Sequence, residues 1–311
     1  MSADVAGFGA DHTEARSILP VTKDWKNSAE RPSSIRNGMS VDVEDYFHAE
    51  AITRHIGRRS WDRMESRVVQ STQRALELLS RYNVRATFFV LGWVAERFPH
   101  LVREIYAQGH EIGCHSYWHR LIYDLTPSEF WEDTRRAKDT IESAIGARII
   151  GYRAPSFSVT KREYWALEIL GELGFKYDSS IFPILHDRYG IPDHPRFRCH
   201  YGNEDRWRLT ELPMSTWRLG FVNLPFSGGC YLRILPLTYT HQLFRSVNTR
   251  DRQPVIVYFH PWEIDPEQPK LKVSLGSRLR HYTNLQSMAP RVADLLQSYP
   301  FGPLFEIAGQ S

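Results

Sequence analysis

Two histidines four residues apart are the first feature of this sequence with a spacing suited to chemistry. His115 and His119 lie in the segment HSYWH. On a helical turn, such a pair presents both imidazoles on one face, where they can bind one metal ion. The pair alone is a weak signal, because histidines at this spacing more often have structural roles. A site with open positions for water and substrate also needs a carboxylate from elsewhere in the chain.

An acidic segment, VDVED, offers that carboxylate and a general base as well. It contains Asp42, Glu44 and Asp45. Side chains alternate along a strand, so Asp42 and Glu44 point the same way, which favours Glu44 as the ligand. If the strand ends at Glu44, however, Asp45 can turn into the site instead. Glu44 and Asp45 are therefore both candidate metal ligands. The alternative for the whole segment is an acidic strand end solvated by water.

Two further polar residues suit the same chemistry: Arg153 in GYRAPS and His260 in FHPWE. An arginine near a carboxylate fixes its orientation and keeps it ionised. A histidine titrates near neutral pH and suits proton donation to a leaving amine. Either residue alone is more often structural than functional.

Strand and helix signals alternate from Gly38 to the C-terminus and would position these residues. β-branched and aromatic runs predict buried strands, and apolar residues at helical spacing predict helices between them. Capping boxes at Thr126 and Thr160 begin two of the helices. The predicted strands are MSVDV, RATFFVLG, HEIGCH, RIIGYRAP, FKYDSS, PVIVYFH and PLFEIA. This order predicts an α/β fold with a largely parallel sheet, open or closed as a barrel.

Polar clusters stand at the ends of five predicted strands: VDVED, HSYWH, YRAPS, YDSS and FHPWE. In α/β barrels, functional groups gather at the C-terminal ends of the strands. One such cluster means little, but five on one rim are hard to explain as solvation.

The ordered motifs VDVED, ATFFVLG, GHEIGCHSYWH, GYRAP, YDSS and YFHPWE resemble the NodB-homology polysaccharide deacetylases, carbohydrate esterase family 4. The similarity is greatest to the branch linked to exosortase and exopolysaccharide gene clusters, and it covers roughly residues 38–308. It implies an α/β fold of a particular kind, the deformed (β/α) barrel of the NodB-homology type.

The resemblance also implies roles for individual residues. His115 and His119 match the two metal-binding histidines, and His260 matches the general acid. The other matches are Asp42 as general base, Arg153 as its partner, Asp178 as the acid that tunes the histidine, and Ser156 as a backbone N–H donor to the oxyanion. The chain departs from the family twice, because the first motif has no adjacent aspartates and Ser156 replaces a tyrosine.

The implied reaction is metal-dependent removal of acetyl groups from an N-acetylated polysaccharide or lipid-linked oligosaccharide. One divalent ion is expected, and zinc suits the ligands best, although iron, cobalt or nickel fit as well. Association with exopolysaccharide assembly machinery is a further expectation. The alternatives are a hydrolase of small cyclic amides and an inactive carbohydrate-binding protein. The aromatic loop from Trp207 to Trp217, within an irregular region at 186–229 expected to cover the site, favours an open groove for a polymer.

Composition sets the remaining bounds. The 311 residues carry a net charge of +3, from 39 basic and 36 acidic residues, which is too even for a nucleic-acid binder. Three cysteines without a CxxC pattern predict neither a disulfide framework nor a cysteine metal site. With no signal peptide or membrane span recognised, a cytoplasmic protein is expected. Residues 1–36 are predicted to be a disordered or loosely attached tail, and residues 37–311 one deacetylase domain with a family-specific C-terminal extension.

Overall fold

A nine-stranded sheet is the main sheet of this computed structural model, which describes residues 35–203 and 206–309. The predicted tail lies outside the described residues, except for its last two positions. The sheet order is β10-β1-β2-β3-β4-β5-β7-β6, with β11 also paired to β1 and only β6 antiparallel. The strands are β1 (Asn37–Val43), β2 (Thr87–Val90), β3 (Glu111–Cys114), β4 (Gly151–Tyr152), β5 (Tyr177–Asp178), β6 (Cys199–Asn203), β7 (Trp207–Glu211), β8 (Thr216–Leu219), β9 (Val222–Pro225), β10 (Ile256–Phe259) and β11 (Phe301–Gly302).

Helices connect the parallel strands and cover the sheet. Both predicted capping boxes are confirmed, at Thr126 before α5 and at Thr160 before a 3-10 turn. The helices are α1 (Glu50–Ile56), α2 (Val68–Arg81), α3 (Gly92–Arg97), α4 (Pro99–Ala107), α5 (Pro127–Ile145), α6 (Trp165–Glu172), α7 (Cys230–Ile234), α8 (Leu237–Ser246), α9 (Leu275–Tyr282), α10 (Leu285–Ser298) and α11 (Leu304–Gly309). Among the described residues, no helix is both long and apolar enough to cross a bilayer.

β7 and β10 do not pair directly in the described sheet, and hydrogen bonds through Ser215 and Ser227 connect this side of the sheet to β10. Ile256 N–H donates to Ser215 Oγ at 2.8 Å, and Tyr258 N–H donates to the Ser227 carbonyl at 3.3 Å. The hydroxyl of Ser227 in turn donates to the Ser215 carbonyl at 3.1 Å. These bonds join the two ends of the parallel sheet, so the fold is the deformed (β/α) barrel that was predicted.

Two expectations from the sequence differ from the structure. The C-terminal strand PLFEIA is wrong, because residues 304–309 form α11 and only Phe301–Gly302 pairs with β1. The irregular region does contain hairpins, of which β6–β7 extends the main sheet and β8–β9 stands apart. Its tryptophans do not favour a groove: Trp207 packs against Gly171, and Trp217 Nε1 donates to Ser246 Oγ at 3.1 Å. Their use as a sign of an open groove is therefore wrong.

A buried histidine joins the beginnings of β2 and β3. His110 is 5% exposed, and its Nδ1 accepts the N–H of Ala86 at 3.1 Å. Its ring packs edge-on against Phe88, with 4.9 Å between ring centroids. Burial, assisted by the charge of Arg85, lowers the pKa of His110 from 6.5 to about 4. The neutral ring is therefore the form that the fold requires.

His110 should make folding sensitive to acid. Between pH 6.5 and about 4 the unfolded chain binds a proton at this ring while the folded chain does not. The free energy of unfolding should therefore fall through this window as pH decreases, by up to about 3 kcal/mol from this residue. Urea unfolding at several pH values should show a flatter profile for His110→Asn. His100→Asn, at an exposed position on α4, is the control. An unchanged profile in His110→Asn would contradict this account.

Candidate active site

The polar clusters meet at one rim of the barrel, at the ends of β1, β3, β4 and β10. Register places these ends at similar height, because Val43 pairs with Val90, Val90 with Cys114, and Cys114 with Tyr152. The side chains gathered there are Asp42, Glu44, His115, His119, Arg153 and His260. All are buried except His260, whose side chain is 17% exposed. Only a fold brings together residues this far apart in sequence.

Glu44, His115 and His119 form a cluster suited to one metal ion. Their ligand atoms lie within 4.8 Å of one another, and His119 Nε2 is 3.0 Å from Glu44 Oε2. Within the described part of the chain, His119 Nδ1 is buried without a hydrogen-bond partner. The Nδ1 of His115 contacts the Arg153 carbonyl at 2.8 Å, which leaves its Nε2 free to bind. An unpartnered buried nitrogen and a His-His-carboxylate set both fit a zinc-like ion.

The histidines converge through a loop, and the predicted helical turn is wrong. Ser116 and His119 have φ values of 66° and 51°, in the left-handed region. Asp133 on α5 holds the loop, because its carboxylate accepts the N–H groups of Tyr117 and Trp118 at 2.8 and 3.2 Å. The Ser116 hydroxyl accepts the N–H of His119 at 3.0 Å. The imidazole centroids end 5.3 Å apart.

Asp45 points away from this cluster, so the expectation that it is a candidate metal ligand is corrected. Its Oδ2 accepts the Ser66 hydroxyl at 2.6 Å and the N–H groups of Arg67 and Val68 at 2.9 and 3.2 Å. The carboxylate therefore binds the N-terminus of α2, where free N–H groups and the helix dipole favour an anion. Strand alternation pointed to Glu44, and the structure places Glu44 with the histidines.

Asp42 is fixed by a fully buried arginine. Arg153 Nη1 donates to Asp42 Oδ1 at 2.7 Å and to Ser40 Oγ at 2.8 Å. Its Nε and Nη2 donate to the carbonyl and hydroxyl of Ser179 at 3.1 and 3.0 Å. The guanidinium lies 4.3 Å from the centroid of the Phe89 ring. A buried charge is tolerated when it is paired and its donors are satisfied, and Arg153 meets both conditions.

His260 contacts an acid that the sequence interpretation missed. Its Nδ1 lies 2.8 Å from Glu263 Oε2, and Arg233 Nε donates to Glu263 Oε1 at 2.8 Å. Its Nε2 faces Glu44 Oε1 at 3.2 Å. Burial lowers the pKa of His260, but the charges of Glu44 and Glu263 outweigh burial and raise the pKa to about 9. Proline one residue after His260 and glutamate three after it form a capping-box pattern that could have identified Glu263.

Asp178, expected to tune His260, lies elsewhere in the site. Its Oδ1 accepts the Ser180 hydroxyl, which in turn accepts the N–H of Ala154 at 2.7 Å. Burial raises the pKa of Asp178 to about 6, against hydrogen bonds from Glu211 and Ser180. Asp178 therefore supports the segment that carries Arg153, and the expected contact with His260 is wrong.

Ser156 follows Arg153 on a strained turn. Its φ and ψ are 52° and 27°, and the next residue, Phe157, has a φ of 53°. A non-glycine residue in this region carries a conformational cost that surrounding contacts must offset. The role of the Ser156 N–H toward an oxyanion stays a prediction.

Residues 60–177 match the sequence profile of the polysaccharide deacetylases. This segment is similar to the polysaccharide deacetylases. Residues 179–308 match a second profile, DUF3473, described as a domain of unknown function. The deacetylase match contains His115, His119 and Arg153, whereas Asp42 and Glu44 precede it and His260 and Glu263 lie in the second match. The site is thus assembled from both matched segments and the strand before them.

Relatives of known name cover part of the chain. A peptidoglycan-N-acetylglucosamine deacetylase from Bacillus cereus is 35% identical over 89 residues, which is 29% of this chain and 30% of the relative. A second Bacillus cereus protein of that name is 44% identical over 84 residues, 27% of this chain and 39% of the relative. The chain thus spans between 30% and 39% of the length of these two curated relatives.

A solved structure extends the likeness to the whole fold. A Mycobacterium smegmatis protein, provisionally named a polysaccharide deacetylase, superposes with a TM-score of 0.59. The match covers 93% of this chain and 92% of the other, at 22% identity. At that identity, the likeness shows the shared fold.

Glu44 and Asp45 can be separated by two variants. Glu44→Gln should lower the affinity for a divalent ion by more than about 100-fold, since even the loss of an outer partner costs about 10–100-fold. Asp45→Asn should retain the ion and lose about 1 kcal/mol of stability as a weakened helix cap. Elemental analysis and thermal unfolding of both variants provide the measurements. Metal loss in Asp45→Asn with retention in Glu44→Gln would reverse the assignment.

Proposed function

We propose that this chain is a metal-dependent hydrolase that removes acetyl groups from the N-acetylated sugars of a polysaccharide, giving acetate and a free amine. The observation that carries the proposal is the buried cluster of Glu44, His115 and His119. Asp42 and His260 stand at the same rim. The deacetylase profile supports it, and so do the names of the Bacillus cereus relatives, which specify N-acetylglucosamine.

Glu44, His115 and His119 would hold one divalent ion, for which zinc is our first choice. When bound, such an ion polarises a carbonyl and lowers the pKa of water. The contact between His115 Nδ1 and the Arg153 carbonyl at 2.8 Å fixes the ring so that Nε2 faces the cluster. The ligand set is therefore oriented by the same strand end that supplies Arg153.

Asp42 would act as the general base. Arg153 Nη1 contacts Asp42 Oδ1 at 2.7 Å, which fixes the orientation of the carboxylate. The other oxygen is left to take a proton from the attacking water. Ser40, on the same strand as Asp42, accepts a hydrogen bond from Arg153 Nη1 at 2.8 Å. Because this contact holds the guanidinium in place, the Asp42 carboxylate cannot rotate freely. The Ser156 N–H would stabilise the negative oxygen that forms on the acetyl carbon.

His260 would protonate the departing nitrogen. An amine leaves poorly as an anion, so this step requires an acid. Glu263 Oε2 accepts a hydrogen bond from His260 Nδ1 at 2.8 Å, which directs Nε2 of the same ring toward the cluster. Arg233 keeps Glu263 ionised through a contact of 2.8 Å. The chain of contacts from Arg233 to Glu263 and from Glu263 to His260 thus positions one proton donor at the site.

A hydrolase of small cyclic amides remains the second candidate. The Asp42-Val-Glu44 spacing, with Glu44 in the cluster, favours it, since that first motif resembles the cyclic-amide subgroup. The tryptophans expected to line a polymer groove are packed elsewhere. The two candidates differ in substrate and share the residues of the site.

Acetate release from a panel of N-acetylated oligosaccharides, with and without chelator, tests the proposal. We expect release that stops in chelator and returns when a divalent ion is added. The same panel should include small cyclic amides, whose hydrolysis without acetate release would favour the second candidate. Full acetate release in a metal-free sample would refute the metal dependence.

His260→Ala should lose about 10²–10⁴-fold in turnover while retaining its metal, because the acid is lost and the ligands remain. Steady-state kinetics and metal content on the same preparation decide the point. His100→Ala, at an exposed position on α4, should leave both values unchanged. Near-normal turnover in a metal-replete His260→Ala enzyme would show that His260 is structural.

A further inference from the structure

Helix α9 presents two leucines to solvent. Leu275 and Leu279 are 72% and 58% exposed, and a spacing of four residues places them on one face. Five of the eight residues of α9 are exposed. The helix therefore forms an exposed ridge on the surface. Exposed leucines in such a position are a cost in water unless another surface covers them.

Cations without partners flank these leucines. Lys270, Lys272, Arg278 and Arg280 are all exposed, and no ion pair joins them to a carboxylate among the described residues. Residues 268–293 contain no Asp or Glu. The nearest acid before them, Glu267, is paired with Arg74 at 3.2 Å. Among the described residues, no carboxylate forms an ion pair with the cations of this ridge.

The α9 surface is defined here as Lys270, Lys272, Leu275, Arg278, Leu279 and Arg280. We propose that the α9 surface docks on an anionic phospholipid bilayer. Leucines on a basic amphipathic helix enter the boundary between headgroups and acyl chains, while the cations contact lipid phosphates. A ridge with both features fits a plane of anionic headgroups, whereas a soluble polyanion would leave the leucines in water.

The α9 surface is joined to the active site by a stack of rings. His281, on α9, stacks on Trp262 with centroids 4.1 Å apart, and Trp262 stacks on His260 at 5.0 Å. Arg233 donates to the carbonyls of Arg280 and His281 at 3.0 and 2.9 Å. A bilayer at α9 therefore lies beside the proton donor. If the proposed function holds, the substrate is an N-acetylated sugar carried on lipid.

Flotation of the full chain with vesicles tests docking without any reaction. Vesicles of phosphatidylcholine alone and with phosphatidylglycerol provide the comparison. We expect binding to the anionic vesicles, weakened by added salt because the attraction is screened. Absence of binding to the anionic vesicles would overturn the proposal. Acetate release from a soluble oligosaccharide, measured separately, reports on the proposed function independently.

Matched variants locate the binding. Lys272→Glu with Arg278→Glu should weaken binding at least about tenfold, and Leu275→Ser with Leu279→Ser should also weaken it. Arg81→Glu with Arg148→Glu makes the same charge change at exposed residues preceding β2 and β4, at the other end of the barrel, and should retain binding. Equal loss in this control would overturn the assignment to α9. Unchanged binding in the leucine variant, with equal binding to a soluble anionic polysaccharide, would replace the bilayer with a polyanion.

Discussion

One buried carboxylate organises the site. Glu44 is 2% exposed. Its carboxylate oxygens contact His119 Nε2 at 3.0 Å and His260 Nε2 at 3.2 Å, and they accept the Trp262 Nε1–H at 3.3 Å. Burial alone would raise the pKa of Glu44, but its electrostatic interactions with His119 and His260 outweigh burial and hold the pKa well below its usual range. An ionised group at this depth requires cationic neighbours from several strands. The convergence of strand ends is thus a condition for Glu44 to be buried at all.

Two further buried ion pairs stand on either side of Glu44. Arg153 pairs with Asp42 at 2.7 Å, and Arg233 pairs with Glu263 at 2.8 Å. Replacing such pairs by apolar residues is often neutral or stabilising, so their contribution to stability is small. Their value lies in orientation, because each arginine also donates to backbone or serine oxygens that fix its position. One pair orients a base and the other an acid.

The elements that sequence predicted well are those dominated by local rules. Buried strands ending in polar clusters, and capping boxes such as Thr126 with Glu129, depend on neighbours in the chain. Strand alternation likewise pointed to Glu44. Asp45 lies outside the site because the N-terminus of α2, more than twenty residues later in the sequence, offers its carboxylate three hydrogen-bond donors. Such competition from a distant partner has no local signature.

Tertiary contacts also account for the other errors. The segment PLFEIA is apolar and short, and nothing in it distinguishes a strand from a helix, so packing against β1 decided. Glu263 takes the position beside His260 that the resemblance implies for Asp178, and its contact with His260 depends on the turn between them. An aromatic-rich loop suggests a sugar-binding groove, but residue types alone do not fix the direction in which Trp207 and Trp217 point.

Four non-glycine residues in left-handed conformation border the site: Ser116, His119, Ser156 and Phe157. Each such residue costs on the order of 1–3 kcal/mol, and a short peptide would relax away from it. The segment HSYWH therefore has no metal-binding shape of its own. Its two imidazoles converge because Asp133 and the barrel hold the loop in a form that the free chain disfavours. The geometry that brings the two imidazoles of this motif together is therefore a property of the folded protein and not of the segment alone.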